Sequence, residues 1–238
     1  MVYLGLVISA IVCYLLGSIN TSIIISHILG SDIRKEGSGN AGATNMLRSH
    51  GVKMGVVTLA LDVIKGALAV LFCLLMAHIM RPFAGIPNHM PIDRDALSFR
   101  NTQAFWIYSY QYIGAICAVL GHDFPMFFGF RGGKGVATSL GVILVLDVRI
   151  ALIALAVSVI IMAITRYVSL GSVLAPIIYT ILVCIYSGFM SSLPFNYMWL
   201  VFSLVMCLLI IVKHRKNIER LLNHTESKLG MKGTKSNG

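Results

Sequence analysis

The chain alternates between long apolar runs and short polar interruptions. Met1 to Ser31 contains no Lys, Arg, Asp or Glu, and neither does Tyr167 to Val212. A helix needs roughly 20 apolar residues to cross the hydrocarbon core, so the second run holds two crossings. The first run is too long for the apolar part of a secretory leader, lacks a basic segment ahead of it and shows no small-residue cleavage site. It reads as a retained helix. The interruptions predict seven helices, at roughly 3–28, 54–80, 103–121, 136–147, 150–166, 168–187 and 197–213. Arg81-Pro82 and Ile86-Pro87 open a polar connection that runs to Arg100, Asp147-Val148-Arg149 divides the fourth helix from the fifth, and Ser187 to Asn196 divides the sixth from the seventh. The fourth is short for an untilted span, partial or re-entrant by length. Parity argues that it crosses, because otherwise the motif at 131–135 or the basic tail would face outward.

Composition agrees with this pattern. The chain is 57% hydrophobic and 12% charged, with mean hydropathy +0.84, whereas soluble domains carry about 25% charged residues. Charge then orients the bundle, because cytoplasmic loops are enriched in Lys and Arg. With an outside N-terminus, seven crossings place Arg34, Lys35, Arg48, Lys53, Arg131, Lys134, Arg166, Lys213, Arg215, Lys216, Arg220, Lys228, Lys232 and Lys235 inside. Arg81, Arg94, Arg100 and Arg149 fall outside, and Lys65 lies within a helix. The expected fold is an all-α polytopic membrane protein of about seven transmembrane helices, N-terminus outside and C-terminus cytoplasmic. It forms one domain over 1–230, with a disordered tail at 231–238. The five cysteines sit inside apolar runs without CxxC spacing and read as packing residues.

Three loops on the inner face carry candidate chemistry. Gly37 to Arg48 reads GSGNAGATNMLR. Its glycines let successive N–H groups converge on an anion. Ser38, Asn40, Thr44 and Asn45 add donors beside Gly39, and Arg48 adds a planar fork for phosphate oxygens. Gly132-Gly133-Lys134-Gly135 directly precedes a helix, where unpaired N–H groups and the positive dipole end favour an anion. Phe128 stands where a Walker A motif needs its first glycine and Gly135 where it needs Ser or Thr, so nucleotide binding is not indicated. The cluster Phe124, Phe127, Phe128 and Phe130 suits an interfacial belt or the wall of an acyl-chain groove. After the last helix, His214, Asn217 and Leu221 share one helical face. Thr165 to Ser172 forms an inside turn that brings Ser172 toward the other loops. Asp62 and Lys65, three apart on one helix, read as a structural ion pair. His27 and Asp32 fit an H-x4-D acyltransferase pattern that chance produces readily, and it is set aside. No nucleophile constellation and no metal-ligand spacing appears, so catalysis would rest on positioning and an already activated substrate.

The stretches GSGNAGATNMLR (37–48), LDVIKGALAV (61–70), GHDFPMFFGFRGGKGVAT (121–138), TRYVSLGS (165–172) and HRKNIERLL (214–222) together resemble the bacterial acyl-phosphate:glycerol-3-phosphate acyltransferase family (PlsY). They occur in the family's order and cover most of the chain. The resemblance implies seven helices with three motifs facing the cytoplasm of the bacterial inner membrane. It implies transfer of a long-chain acyl group from acyl phosphate to the 1-hydroxyl of glycerol 3-phosphate, giving lysophosphatidic acid and inorganic phosphate without a covalent acyl-enzyme. It assigns glycerol-phosphate contacts to Ser38, Arg48, Lys134, Ser172, His214 and Asn217, with His214, Asn217 and Lys134 as the catalytic set. Gly132 and Gly133 approach the acyl phosphate, and Gly39, Asn40, Thr44, Asn45 and Thr138 complete the substrate-binding set. His214 is either a general base or an orienting group, with a substrate phosphate taking the proton. No cofactor, metal or nucleic acid is implied; membrane lipid is a partner, and the oligomeric state is left open. Two departures stand out: the outside stretch near 81–103 is longer than the family's, and His224 occupies a place expected to be glycine. A phosphate-ester transporter would share the basic loops but bind near the bilayer midplane on broken helices. A membrane scaffold would leave the phosphate-type loops unexplained.

Overall fold

The computed structural model describes residues 2–85, 96–190 and 197–229, and within them it is all-helical. The first apolar run forms α1 (Val2–Ser18) and α2 (Thr21–Ile28), broken at Ile19-Asn20. Asn20 explains the break: its side chain caps α2 by accepting from the Ile23 N–H at 3.2 Å, which takes it out of the helix running before it. The predicted second helix is α3 (Ala43–Met80), which starts eleven residues earlier than the apolar pattern suggested and kinks at Gly51, where φ is 85°. The segment ahead of the kink is polar but helical, so Thr44, Asn45 and Arg48 ride on a helix rather than in the loop.

α4 (Ala96–Asp123) also begins before its apolar portion, because a helix can continue into the polar interface. Part of the connection before it, residues 86–95, lies outside the described residues, as do 191–196 and the tail from 230. α5 (Val136–Leu146) and α6 (Val148–Thr165) turn about Asp147, whose carboxylate accepts from the N–H groups of Arg149 and Ile150 at 3.0 and 3.2 Å. α7 (Val168–Ile185) follows after Arg166, which adopts φ 63° to end α6. α8 (Tyr197–Lys213) bends by 63° into the short α9 (Arg215–Leu222).

Among the described residues, five spans are long and apolar enough to cross a membrane, and the bent α8–α9 pair makes up to six. α5 has 11 residues and rises about 16 Å, short of the roughly 30 Å hydrocarbon thickness. Bulky apolar side chains lie exposed along α1 (Leu4, Val7, Ile11), α6 (Leu152, Ile160, Ile164) and α8 (Val201, Leu204, Leu208). On a chain with this few charges that surface is lipid-facing, and the protein is an integral membrane protein.

Lipid is as apolar as leucine, so helix association depends on close packing rather than on escape from water. Glycines supply it at two crossings. On α1 and α4, a Cβ at Gly17 would collide with the Ala118 carbonyl and one at Gly121 with the Tyr14 carbonyl. On α3 and α5, a Cβ at Gly66 would collide with the Thr138 carbonyl and one at Gly141 with the Val63 carbonyl. Around these contacts the cores fill with Cys13, Ala69, Cys73 and Tyr110 on one side, and with Val70, Val119, Val142 and Phe202 on the other. All five cysteines carry free thiols.

Gly141→Val and Gly17→Val should therefore each push two backbones apart. Overpacking of this kind costs about 1–3 kcal/mol, equivalent to roughly 2–12 °C for a chain of this size. A thermal melt in detergent reads the effect, and an unchanged melting temperature in both variants contradicts the packing.

Candidate active site

The polar ends of five elements meet around one cavity of about 400 Å³, a size typical of ligand pockets. The glycine-rich loop contributes Ser38 and Asn40, the start of α3 Thr44, Asn45 and Arg48, the start of α5 Lys134 and Gly135, the α6–α7 turn Ser169 and Ser172, and the α8–α9 bend His214 and Asn217. Nine of the thirteen site residues expected from the sequence thus line one space. The other four do not line it. Gly39 is exposed on the loop with φ 71°. Gly132 and Gly133 pack behind the rim against His122, and Thr138 is fully buried in the α3–α5 crossing.

The loop owes its shape to Asn45. Its side-chain oxygen accepts from the Ser38 N–H at 2.9 Å, and its amide nitrogen donates to the carbonyls of Ile33 and Glu36 at 3.0 and 2.9 Å. With both amide hydrogens engaged, Asn45 is the clasp of the loop. Ser38, Asn40 and Thr44 make no side-chain hydrogen bond within the described residues, so their polar groups are left for a ligand. Arg34 ties this loop to the next: it pairs with Asp32 at 2.9 Å and donates to the Phe128 carbonyl at 2.9 Å. The guanidinium holds the Asp32 carboxyl down at about 2.

A linear network crosses the cavity floor. Lys134 donates to the Asn217 side-chain oxygen, Asn217 donates to Glu226 at 2.9 Å, and Arg220 closes on Glu226 at 2.6 Å. Burial raises the affinity of Glu226 for a proton, but the hydrogen bonds from Arg220 and Asn217 overcome it and hold the carboxyl below its ordinary value. Burial first, and then the positive charge of Arg220, Arg48 and Lys213, lowers Lys134 to about 8, against the opposing pull of Glu226. The site is a cation cluster short of negative charge, which an anionic ligand would supply.

His214 is 3% exposed. Its Nδ1 lies 2.8 Å from the Ile210 carbonyl, which can only accept, so the neutral ring carries its proton on Nδ1. Nε2 is then an acceptor. Burial, followed by the charge on Lys134, lowers His214 to about 4, leaving it neutral at physiological pH.

Residues 225–229 strap the site. Leu229 N–H donates to the Arg166 carbonyl at 2.7 Å, and Arg48 donates to the Ser227 carbonyl at 3.3 Å. His224, the departure noted in the sequence, takes φ 55° at the start of this strap, a left-handed conformation that explains the glycine expected there.

The opposite wall of the cavity is apolar, from Val56 and Leu59 on α3, Leu140 on α5, and Leu155, Val159 and Met162 on α6. Val56, Leu59 and Val159 are also exposed, so the cavity opens sideways between α3 and α6. The phenylalanine cluster does not form this wall. Phe124, Phe127 and Phe130 are exposed, whereas Phe128 packs on Ile23, Ile33 and Met46, so the belt reading describes them better.

Sequence reasoning left four polar lining residues out of the site: Ser169, Glu226, Asp62 and His122. The expected Asp62–Lys65 pair forms at 2.8 Å, but it is part of a larger cluster: Thr21 donates to the same carboxylate, and Lys65 reaches the Ile19 carbonyl at 3.0 Å and His122 Nδ1 at 2.9 Å. The sequence motif around 121–138 contained His122, yet nothing local distinguished it from a capping residue.

These features define an integral membrane protein with a cation-lined cavity at the polar ends of its helices and a lateral apolar groove. Residues 7–224 match the family described as glycerol-3-phosphate acyltransferase. A curated glycerol-3-phosphate acyltransferase from Clostridioides difficile (strain 630) is 41% identical over 227 residues, covering 95% of this chain and 96% of the relative. One from Halalkalibacterium halodurans is 39% identical over 92% of this chain and 93% of the relative. A crystal structure of PlsY, an integral membrane glycerol 3-phosphate acyltransferase, in its glycerol 3-phosphate form superposes with a TM-score of 0.72 at 35% identity, covering 94% of this chain and 96% of that one. The lysophosphatidic acid form gives 0.70. The chain belongs to the glycerol-3-phosphate acyltransferase (PlsY) family.

The lowered Lys134 predicts a pH dependence of anion binding. Below about 8 the ammonium is charged and available to an anion; as pH rises through that value the charge is lost. Affinity for inorganic phosphate, measured by calorimetry, should fall across this window, and Lys134→Arg should flatten the fall because guanidinium stays charged.

Proposed function

We propose that this acyltransferase moves a long-chain acyl group from acyl phosphate to the 1-hydroxyl of glycerol 3-phosphate, on the cytoplasmic face of the bacterial inner membrane. The observation that carries the reading is the union, in one cavity, of a cationic polar end with an apolar side open to lipid. A small anionic acceptor from the cytosol suits the first, and an acyl chain lying in the bilayer suits the second.

Arg48 and Lys134 hold the acceptor's phosphate, the guanidinium as a fork and the ammonium as a point charge. Ser38 and Ser172 flank it. His214, uncharged and with Nε2 as acceptor, orients the 1-hydroxyl toward the acyl carbonyl. Asn217, fixed between Lys134 and Glu226, keeps the lysine in place. The hydroxyl oxygen bonds to the carbonyl carbon, the bond from that carbon to the phosphate oxygen breaks, and inorganic phosphate leaves. The proton goes to phosphate rather than to His214. A group lowered to about 4 is a poorer acceptor than a phosphate oxygen, whose second pKa is about 6. The mixed anhydride brings its own leaving group, so positioning and charge stabilisation suffice and no acyl-enzyme is formed. The basic inner loops support the cytoplasmic assignment through the positive-inside bias.

The test supplies purified protein with labelled glycerol 3-phosphate and either acyl phosphate or acyl-CoA. Lysophosphatidic acid should appear with acyl phosphate; product from acyl-CoA alone refutes the donor assignment. Arg48→Ala and Lys134→Ala should raise KM for glycerol 3-phosphate by about 10-fold or more while the proteins still fold, since each charge-assisted contact contributes about 1.5–3 kcal/mol. Wild-type kinetics in either folded variant contradict that role. His214→Gln should keep measurable turnover, whereas a complete loss would restore an essential base.

A further inference from the structure

The cluster beneath the cavity has a consequence for the imidazole it contains. Lys65 is 6% exposed, and its ammonium has three hydrogens and three acceptors: Asp62 at 2.8 Å, the Ile19 carbonyl at 3.0 Å and His122 Nδ1 at 2.9 Å. An ammonium only donates, so Nδ1 must be the unprotonated nitrogen. The neutral His122 ring therefore carries its hydrogen on Nε2. The Asp62 carboxylate is 3.7 Å from Nδ1, too far to reverse the assignment, and it is already occupied by Lys65 and Thr21.

Nε2–H has no hydrogen-bond partner among the described residues. The side chain is 4% exposed and lines the cavity. It also lies against the anion loop from behind: a Cβ on Gly133 would land on Nε2, and the His122 carbonyl accepts the Gly133 N–H at 3.1 Å. The ring is thus wedged between an ion pair that sets its tautomer and the Gly132–Gly133 backbone that precedes Lys134. A cation in its place would have to be matched by a further carboxylate; a neutral N–H donor does not.

We propose that His122 is a catalytic residue of this enzyme, a fixed hydrogen-bond donor from Nε2 to an oxygen of the acyl-phosphate group, with Lys65 and Asp62 as the residues that position it. The proposal rests on the acyl-phosphate reading above. No proton is transferred by His122; it stabilises the charge that builds on the donor substrate as the acyl–phosphate bond breaks. A preorganised donor of this kind contributes roughly 100- to 1,000-fold in rate.

The experiment compares His122→Gln with His122→Asn in the purified full-length protein. Glutamine carries its amide nitrogen to the place of Nε2, whereas asparagine carries it to that of Nδ1. We expect kcat/KM for acyl phosphate to fall about 100-fold in His122→Asn and to stay within about tenfold of wild type in His122→Gln, with KM for glycerol 3-phosphate within about threefold in both. Wild-type kinetics in both variants, or a loss confined to KM for glycerol 3-phosphate, overturns the proposal. Nitrogen NMR of the ring-labelled wild-type protein needs no variant to fold. It should show His122 protonated at Nε2 alone, with that resonance moving on addition of a non-hydrolysable acyl phosphonate. A proton on Nδ1, or a resonance indifferent to the phosphonate, overturns it. Wild-type protein that makes no product from acyl phosphate refutes the donor assignment itself, and the ring tautomer is then still read from the same spectra.

Discussion

Everything at the site depends on how closely the helices approach one another in lipid. Water supplies no driving force there, and the α1–α4 and α3–α5 crossings bring backbone against backbone through Gly17, Gly121, Gly66 and Gly141. The second crossing matters most for chemistry. α3 carries Arg48 at its start and Asp62 with Lys65 lower down, while Lys134 stands two residues before α5 begins. A separation of these helices by the width of one methyl group would open the gap that Lys134, Arg48 and His122 now share.

Charge is the second constraint. Arg48, Lys134 and Arg220 converge with Lys213 nearby, and the structure offsets them with carboxylates placed at the margins: Glu226 against Arg220 and Asn217, Asp62 against Lys65. The result is uneven. Two ion pairs are internally satisfied, whereas Lys134 keeps a lowered proton affinity and Arg48 is exposed, held among the described residues by the Ser227 carbonyl. Those two cations are where an added dianion gains most. Burial, with the charge of Lys134 second to it, makes His214 a neutral acceptor.

Much of the arrangement was legible from residue patterns. Runs free of charge marked the membrane segments, the shortness of 136–147 was visible as a deficit of apolar residues, and Lys134 and the residues from Ser38 to Arg48 marked the segments that line the cavity, although the Gly133 N–H expected to face an anion donates to the His122 carbonyl instead. Boundaries were less legible where polar residues continue a helix. Ala43 to His50 looks like a loop by composition but is helical, and from its first turn the Asn45 side chain satisfies the backbone of the loop before it. The phenylalanines around 127 suggested either a belt or a groove wall, and only packing distinguished them. Thr138 belongs to the same motif as Lys134 but faces the α3 crossing, since Lys134 precedes the helix and Gly135, at φ 74°, turns the chain before α5 begins.

By itself, the chain determined that it enters a membrane, and which of its loops carry the glycines and basic side chains that line the cavity. Both follow from local chemistry: hydropathy over some twenty residues, and glycine and arginine within a dozen. Tertiary structure alone decided which groups share a surface. The Lys65–His122 contact joins positions 57 apart, the Lys134–Asn217 contact joins positions 83 apart, and the tautomer of His122 depends on the partner that the fold delivers to it. Spacing along a sequence encodes the residues of one helical face. It does not encode which neighbouring helix supplies the remaining half of a hydrogen bond.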